Sequence, residues 1–90
     1  MRVARRFVVR GRVQGVGFRY FTLDAARREN LHGYVTNNPD GTVEAVAEGE
    51  PESVERFERV LRRGPSQARV EQVWVDEIEP RMTADGFEIR

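Results

Sequence analysis

Three glycines fall within seven residues in the stretch Gly11-Arg12-Val13-Gln14-Gly15-Val16-Gly17-Phe18-Arg19. A backbone so spaced continues neither a strand nor a helix, because glycine admits left-handed conformations that other residues avoid. The residues before it alternate: Phe7, Val9, Gly11 and Val13 fall on one face and Arg6, Val8, Arg10 and Arg12 on the other, which predicts a strand over Arg6 to Val13 with one buried face. The residues after it place Phe18, Phe21, Thr22 and Ala25 at helical spacing, which predicts a helix from about Val16 to Asn30. The glycine segment is therefore a strand-to-helix junction. There, successive peptide N–H groups can converge on one point, and the helix N-terminus adds its partial positive charge. Such a junction is an anion cradle. Arg19 closes it with a planar fork of donors suited to the tetrahedral oxygens of a phosphate.

Beyond Asn30, Leu31-His32-Gly33 supplies a helix stop with glycine near the C-cap. Tyr34 to Asn37 and Thr42 to Glu48 read as two strands around the turn Asn38-Pro39-Asp40-Gly41, where Asp-Gly is a strong hairpin signal. Glu50-Pro51-Glu52 opens a second helix with proline and acids in its first turn. Val54, Phe57, Val60 and Leu61 give that helix an apolar stripe, and Gly64-Pro65 ends it. Val70, Val73 and Val75 belong to a fourth strand over Arg69 to Ile78, and Phe87 and Ile89 mark a short C-terminal fifth. The order β-α-β-β-α-β with a tail strand predicts an α+β, ferredoxin-like sandwich, with an antiparallel sheet, both helices on one face and the other face more open.

Ninety residues are expected to make one domain, spanning 1–90. With 39% hydrophobic and 33% charged residues and no long apolar run, no membrane association is expected. The basic N-terminus lacks the apolar segment of a signal peptide, and there is no cysteine, so a cytoplasmic protein is expected. The lack of cysteine also removes thiolate nucleophiles and cysteine-based metal sites. Net charge is zero but uneven: residues 1–30 carry +6 and residues 31–90 carry −6. Basic charge thus gathers around the glycine segment. All fifteen basic residues are Arg; base composition of the genome or a thermophilic host would both produce that bias. A pI near 6.6 is low for a nucleic-acid binder.

Arg19 lies where an arginine is unfavourable to the helix dipole unless an anion compensates it, which favours a functional role. Arg12, on the strand face away from the core set, reads as solvated. Asn37 ends the second strand, and its carboxamide can donate and accept at once, which suits the positioning of water. The same residue type also initiates turns at strand ends, and on the residues alone that role is favoured. Asn38, directly before Pro39, is the better turn former. His32, the sole histidine, reads as a helix-end or surface residue. No metal or other cofactor is expected from one histidine, no cysteine and scattered acids.

The run from Gly11 to Arg19 resembles the first signature of the acylphosphatases. Gly33-Tyr34-Val35-Thr36-Asn37, followed by Gly41-Thr42-Val43 and Gly49, resembles their second, and the resemblance covers nearly the whole chain. It implies that the loop Gln14, Gly15, Val16, Gly17 and Phe18 binds a phosphoryl group. It implies further that Arg19 completes phosphate binding and that Asn37 orients the attacking water. The implied activity is hydrolysis of small acyl phosphates to a carboxylate and inorganic phosphate, by a monomer. The leaving group would be a carboxylate, stable as an anion near neutral pH, so no general acid is needed and the scarcity of histidine is no obstacle.

Two other readings use the same element order. An RNA-recognition module stacks bases on aromatics of its central strands, but Thr42 to Glu48 has no aromatic and carries acids, so no nucleic-acid partner is expected. A non-catalytic phosphate-binding domain is the other; such acylphosphatase-like domains occur within larger carbamoyl-transferring maturation proteins.

Overall fold

The computed structural model describes residues 1–81 and 85–90. Seven elements follow one another: β1 (Val3–Arg12), α1 (Phe18–Arg28), β2 (His32–Asn37), β3 (Val43–Gly49), α2 (Pro51–Arg63), β4 (Arg69–Ile78) and β5 (Phe87–Ile89). They form one five-stranded sheet in the order β4-β1-β3-β2-β5. Every neighbouring pair is antiparallel except β2 and β5, which run parallel. This is the expected ferredoxin-like arrangement with its short fifth strand.

Alternation along the strands divides the sheet into two faces. Phe7 and Val9 of β1, Val35 of β2, and Val43, Ala45 and Ala47 of β3 are buried beneath the two helices. From above, α1 contributes Phe18, Ala25 and Ala26, and α2 contributes Val54, Phe57 and Leu61. Phe57 lies at the centre. Its ring meets Phe7 edge-on, with centroids 5.6 Å apart, and Phe87 of β5 at 6.0 Å, geometries that aromatic quadrupoles favour.

The other face is mixed, with Tyr34, Trp74 and Ile78 beside a charged ladder. Arg6 Nε donates to Glu44 Oε2 at 3.0 Å, Tyr34 Oη donates to the same oxygen at 3.3 Å, and Asn38 Nδ2 donates to Glu44 Oε1 at 3.3 Å. The Arg90 guanidinium lies 4.2 Å from the centre of the Tyr34 ring.

Several boundaries differ from the sequence reading, β3 by one residue at each end. β1 begins at Val3 rather than Arg6, because β3 and β4 flank its first residues on both sides: Val3 pairs with Gly49 and Ala4 with Ile78. α1 is shorter at both ends than Val16 to Asn30. It stops at Arg28 because Asn30, at φ 55°, takes the left-handed turn, and the amides of Glu29 and Leu31 both donate to Ala26 O. His32 and Gly33 belong to β2 and do not cap the helix. Gly33 serves close approach instead, since a β-carbon there would run into the carbonyl oxygen of Val46 on β3. By contrast, β4 and the Glu50–Gly64 framing of α2 lie where the residues predict.

Both β1 and β2 oppose β3, so they point the same way and end at the same side of the sheet. That geometry brings the site together: the glycine loop leaves β1 there, α1 starts there, and Asn37 closes β2 there.

Candidate active site

At this end a pocket of about 160 Å³ is lined by Val13, Gly15, Gly17, Phe18, Arg19, Tyr20 and Asn37. The loop's shape depends on Gly15 and Gly17, at φ 76° and 78°. Nothing lies within 4 Å of where their β-carbons would be, so the left-handed backbone, not lack of room, calls for glycine. Gly17 is also the N-cap of α1, which leaves that helix with no side-chain cap, and no acid occupies its first turn. The second helix is the opposite case, with proline at its start and Glu52 in its first turn. Among the described residues, neither a side-chain cap nor a first-turn acid compensates the N-terminal amides and partial positive charge of α1.

Arg19 adds a full positive charge to the same turn. It lines the pocket, and among the described residues its side chain has no ion pair or hydrogen bond. Phe18 is 2% exposed and sinks its ring into the core, where Phe21 lies 5.9 Å away. It pins the helix start in place and leaves its backbone to the loop. Val16 packs partly against the core and is not on the pocket wall.

Gln14 is absent from the pocket wall as well. Its Nε2 donates to Asn38 O at 2.8 Å and to Thr42 O at 3.0 Å, so one carboxamide ties the loop to the β2–β3 turn. That turn is held from within. Asn38 N donates to Thr42 O at 2.9 Å, and Asp40 Oδ1 accepts from both Thr42 N and Thr42 Oγ1, at 3.0 and 2.7 Å. These Thr42 bonds hold the Asp40 carboxyl below its ordinary range. Asn38 Nδ2 also reaches Thr42 Oγ1 at 3.0 Å, which joins the turn to the Arg6–Glu44–Tyr34 ladder. Burial alone would raise the Glu44 pKa; the bonds from Arg6, Asn38 and Tyr34 outweigh it and hold the carboxyl below its usual range. Tyr34 moves the other way, pushed up by burial and by the negative charge of Glu44.

Asn37 stands between turn and pocket. Its Oδ1 is buried and has no hydrogen-bond partner. Such an acceptor is rare in a folded chain and calls for an explanation. Asn38, not Asn37, spends its side chain on the turn, as the sequence reading expects.

Of the sequence-predicted residues, Gly15, Gly17, Phe18, Arg19 and Asn37 meet at the pocket, while Gln14 and Val16 support it from behind. His32 lies far from it: its Nδ1 accepts the Gly86 amide at 2.9 Å and anchors the approach to β5. Sequence reasoning missed Tyr20. The available signal was an aromatic residue next to Arg19 and off the apolar stripe of α1.

A family model described as Acylphosphatase matches residues 5–89. An acylphosphatase of Thermococcus kodakarensis is 48% identical over 88 residues, covering 98% of this chain and 96% of the relative. The crystal structure of acylphosphatase from Bacillus subtilis superposes with a TM-score of 0.94 at 36% identity, covering 98% of each chain. Full-length HypF in a phosphate- and nucleotide-bound form also matches, with a TM-score of 0.92 at 34% identity. The match covers the whole of this chain but 12% of that one.

Proposed function

This chain belongs to the acylphosphatase family, hydrolases of acyl phosphates, and from that membership we propose that Arg19, Asn37 and the backbone of residues 14–18 carry the reaction. The phosphoryl oxygens sit in the cradle of loop and helix amides with the Arg19 guanidinium against them. The Asn37 carboxamide orients the attacking water. Water attacks phosphorus in line, the bond from phosphorus to the acyl oxygen breaks, and a carboxylate leaves as a stable anion. The water's proton passes to a phosphoryl oxygen of the substrate. The products are the carboxylate and inorganic phosphate.

The chemistry suits so few groups. Phosphoryl transfer passes through a loose transition state with charge on the equatorial oxygens, so fixed donors and one guanidinium stabilise it. Holding the water in line supplies the rest. A strong base is not required, because the substrate itself accepts the proton.

The observation that carries this reading is the meeting, at one pocket, of Asn37, whose buried Oδ1 is orphaned, Arg19, which has no side-chain partner among the described residues, and a helix start with no side-chain cap. Hydrolysis of benzoyl phosphate in ¹⁸O-enriched water tests it. Label is expected in the phosphate, and label in the benzoate would mean attack at carbon and overturn the scheme. Inorganic phosphate is expected to inhibit competitively.

The same proposal covers a monomeric cytoplasmic protein without a nucleic-acid partner. In its support, the outward residues of the two central strands are Arg6, Val8 and Arg10 on β1 and Glu44, Val46 and Glu48 on β3, which offer no aromatic platform to a base. Among the described residues, no helix is long and apolar enough to cross a membrane.

A further inference from the structure

Tyr20 is 67% exposed, yet it lines the pocket with Arg19 and Asn37. The core does not use it, since α1 buries Phe18, Thr22, Ala25 and Ala26 and leaves Tyr20 off that face. Among the described residues it has no hydrogen bond and no ring contact. An aromatic ring of this kind presents a large apolar area to water with no internal return.

The layout of the site says what meets that ring. The loop glycines, Arg19 and Asn37 line the same pocket as Tyr20, and in-line phosphoryl transfer places the leaving oxygen opposite the attacking one. The acyl skeleton beyond the leaving oxygen projects away from the reacting centre, and the exposed Tyr20 ring is the aromatic surface the pocket wall offers it.

Building on the function proposed above, we propose that Tyr20 is a specificity-determining residue that packs its ring against the acyl group and favours acyl phosphates with a flat aromatic or extended apolar acyl part over acetyl phosphate. The contact is made outside the reacting centre and is equal in ground and transition states. It acts on binding and shows in KM rather than kcat.

Steady-state kinetics of wild type, Tyr20→Phe and Tyr20→Ala with benzoyl phosphate and acetyl phosphate test this. The benzoyl-to-acetyl ratio of kcat/KM is expected to fall about three- to tenfold in Tyr20→Ala, the range that an aromatic pair contributes. The loss should lie in the KM for benzoyl phosphate, and Tyr20→Phe should restore the ratio. Comparing ratios between variants cancels the different intrinsic reactivities of the two compounds. A ratio unchanged in Tyr20→Ala, including a parallel loss on both substrates, overturns the proposal. A wild-type protein that hydrolyses neither compound overturns the catalytic reading itself and this one with it.

Discussion

Replacing Asn37 by alanine separates the two roles that the residue type allows, water holder and turn former. In the folded protein its Oδ1 is buried without a partner, a burden of about 1–3 kcal/mol by protein mutational data. Alanine removes that burden. The space it leaves opens into the pocket, so no sealed cavity forms, and stability is expected to hold or rise by up to about 2 kcal/mol. For a domain of this size, Tm moves about 4–8 °C per kcal/mol. Catalysis moves the other way. Loss of one positioned group at the reacting centre lowers kcat about 10²- to 10³-fold, on the order of 2.7–4 kcal/mol. The two assays are calorimetric melting and initial rates on benzoyl phosphate, with phosphate inhibition as a check that the cradle persists. Asn37→Asp sharpens the test: it keeps an acceptor but places a charge beside the bound phosphoryl anion. Two unit charges about 4 Å apart repel by about 4 kcal/mol at an effective dielectric of 20, so substrate binding should weaken as well. A wild-type rate for Asn37→Ala, or a Tm fall of more than about 5 °C, would refute the reasoning and return the residue to a structural role.

Arg19→Ala should lower kcat/KM by about 10²- to 10³-fold and also weaken inhibition by inorganic phosphate, because among the described residues the guanidinium has no partner to release; unchanged phosphate inhibition would count against it. Gln14→Ala removes two hydrogen bonds between loop and turn, worth about 1–3 kcal/mol together. Both Tm and kcat should fall, and a loss of Tm with full kcat would show that the tie does not position the site. Glu44 has a folded pKa below its ordinary value, so the stability it contributes is present above that ordinary value, about 4.3, and is lost as pH falls through the folded pKa. The Tm difference between wild type and Glu44→Gln should therefore close as pH drops from about 5 towards 3; a gap independent of pH would contradict the assigned charge.

The glycine loop was legible because its signal is local. Gly15 and Gly17 are needed for the φ angles of their own residues, and Arg19 is read from its place in the next turn. Gly33 misled for the converse reason. A glycine shortly after a helix resembles a cap, but this one answers to the carbonyl of Val46 across the sheet, which no local pattern reports. The start of β1 was obscure in the same way, since the strand-like state of Val3 to Arg5 comes from partners near residues 49 and 78. The second tier of the site was hidden as well. That Gln14 reaches Asn38 and Thr42, and that Asn38 reaches Glu44, depends on the register between strands and on a side chain turning away from the pocket. Composition and spacing specify neither.

The sheet order has a consequence for how the protein is made. One edge of β1 waits for β3 and the other for β4, so the first of these strands to be made stays open on one side until β4 has emerged. At roughly 5–20 residues per second, the interval between the appearance of Gly49 and that of Ile78, the partners of Val3 and Ala4, lasts on the order of a few seconds. Throughout it a growing chain bears an unpaired β1 edge, a row of free N–H and C=O groups of the kind that recruits other strands. Translation that halts before Arg69 should yield an aggregation-prone fragment with loop, Arg19 and Asn37 all present and no stable site.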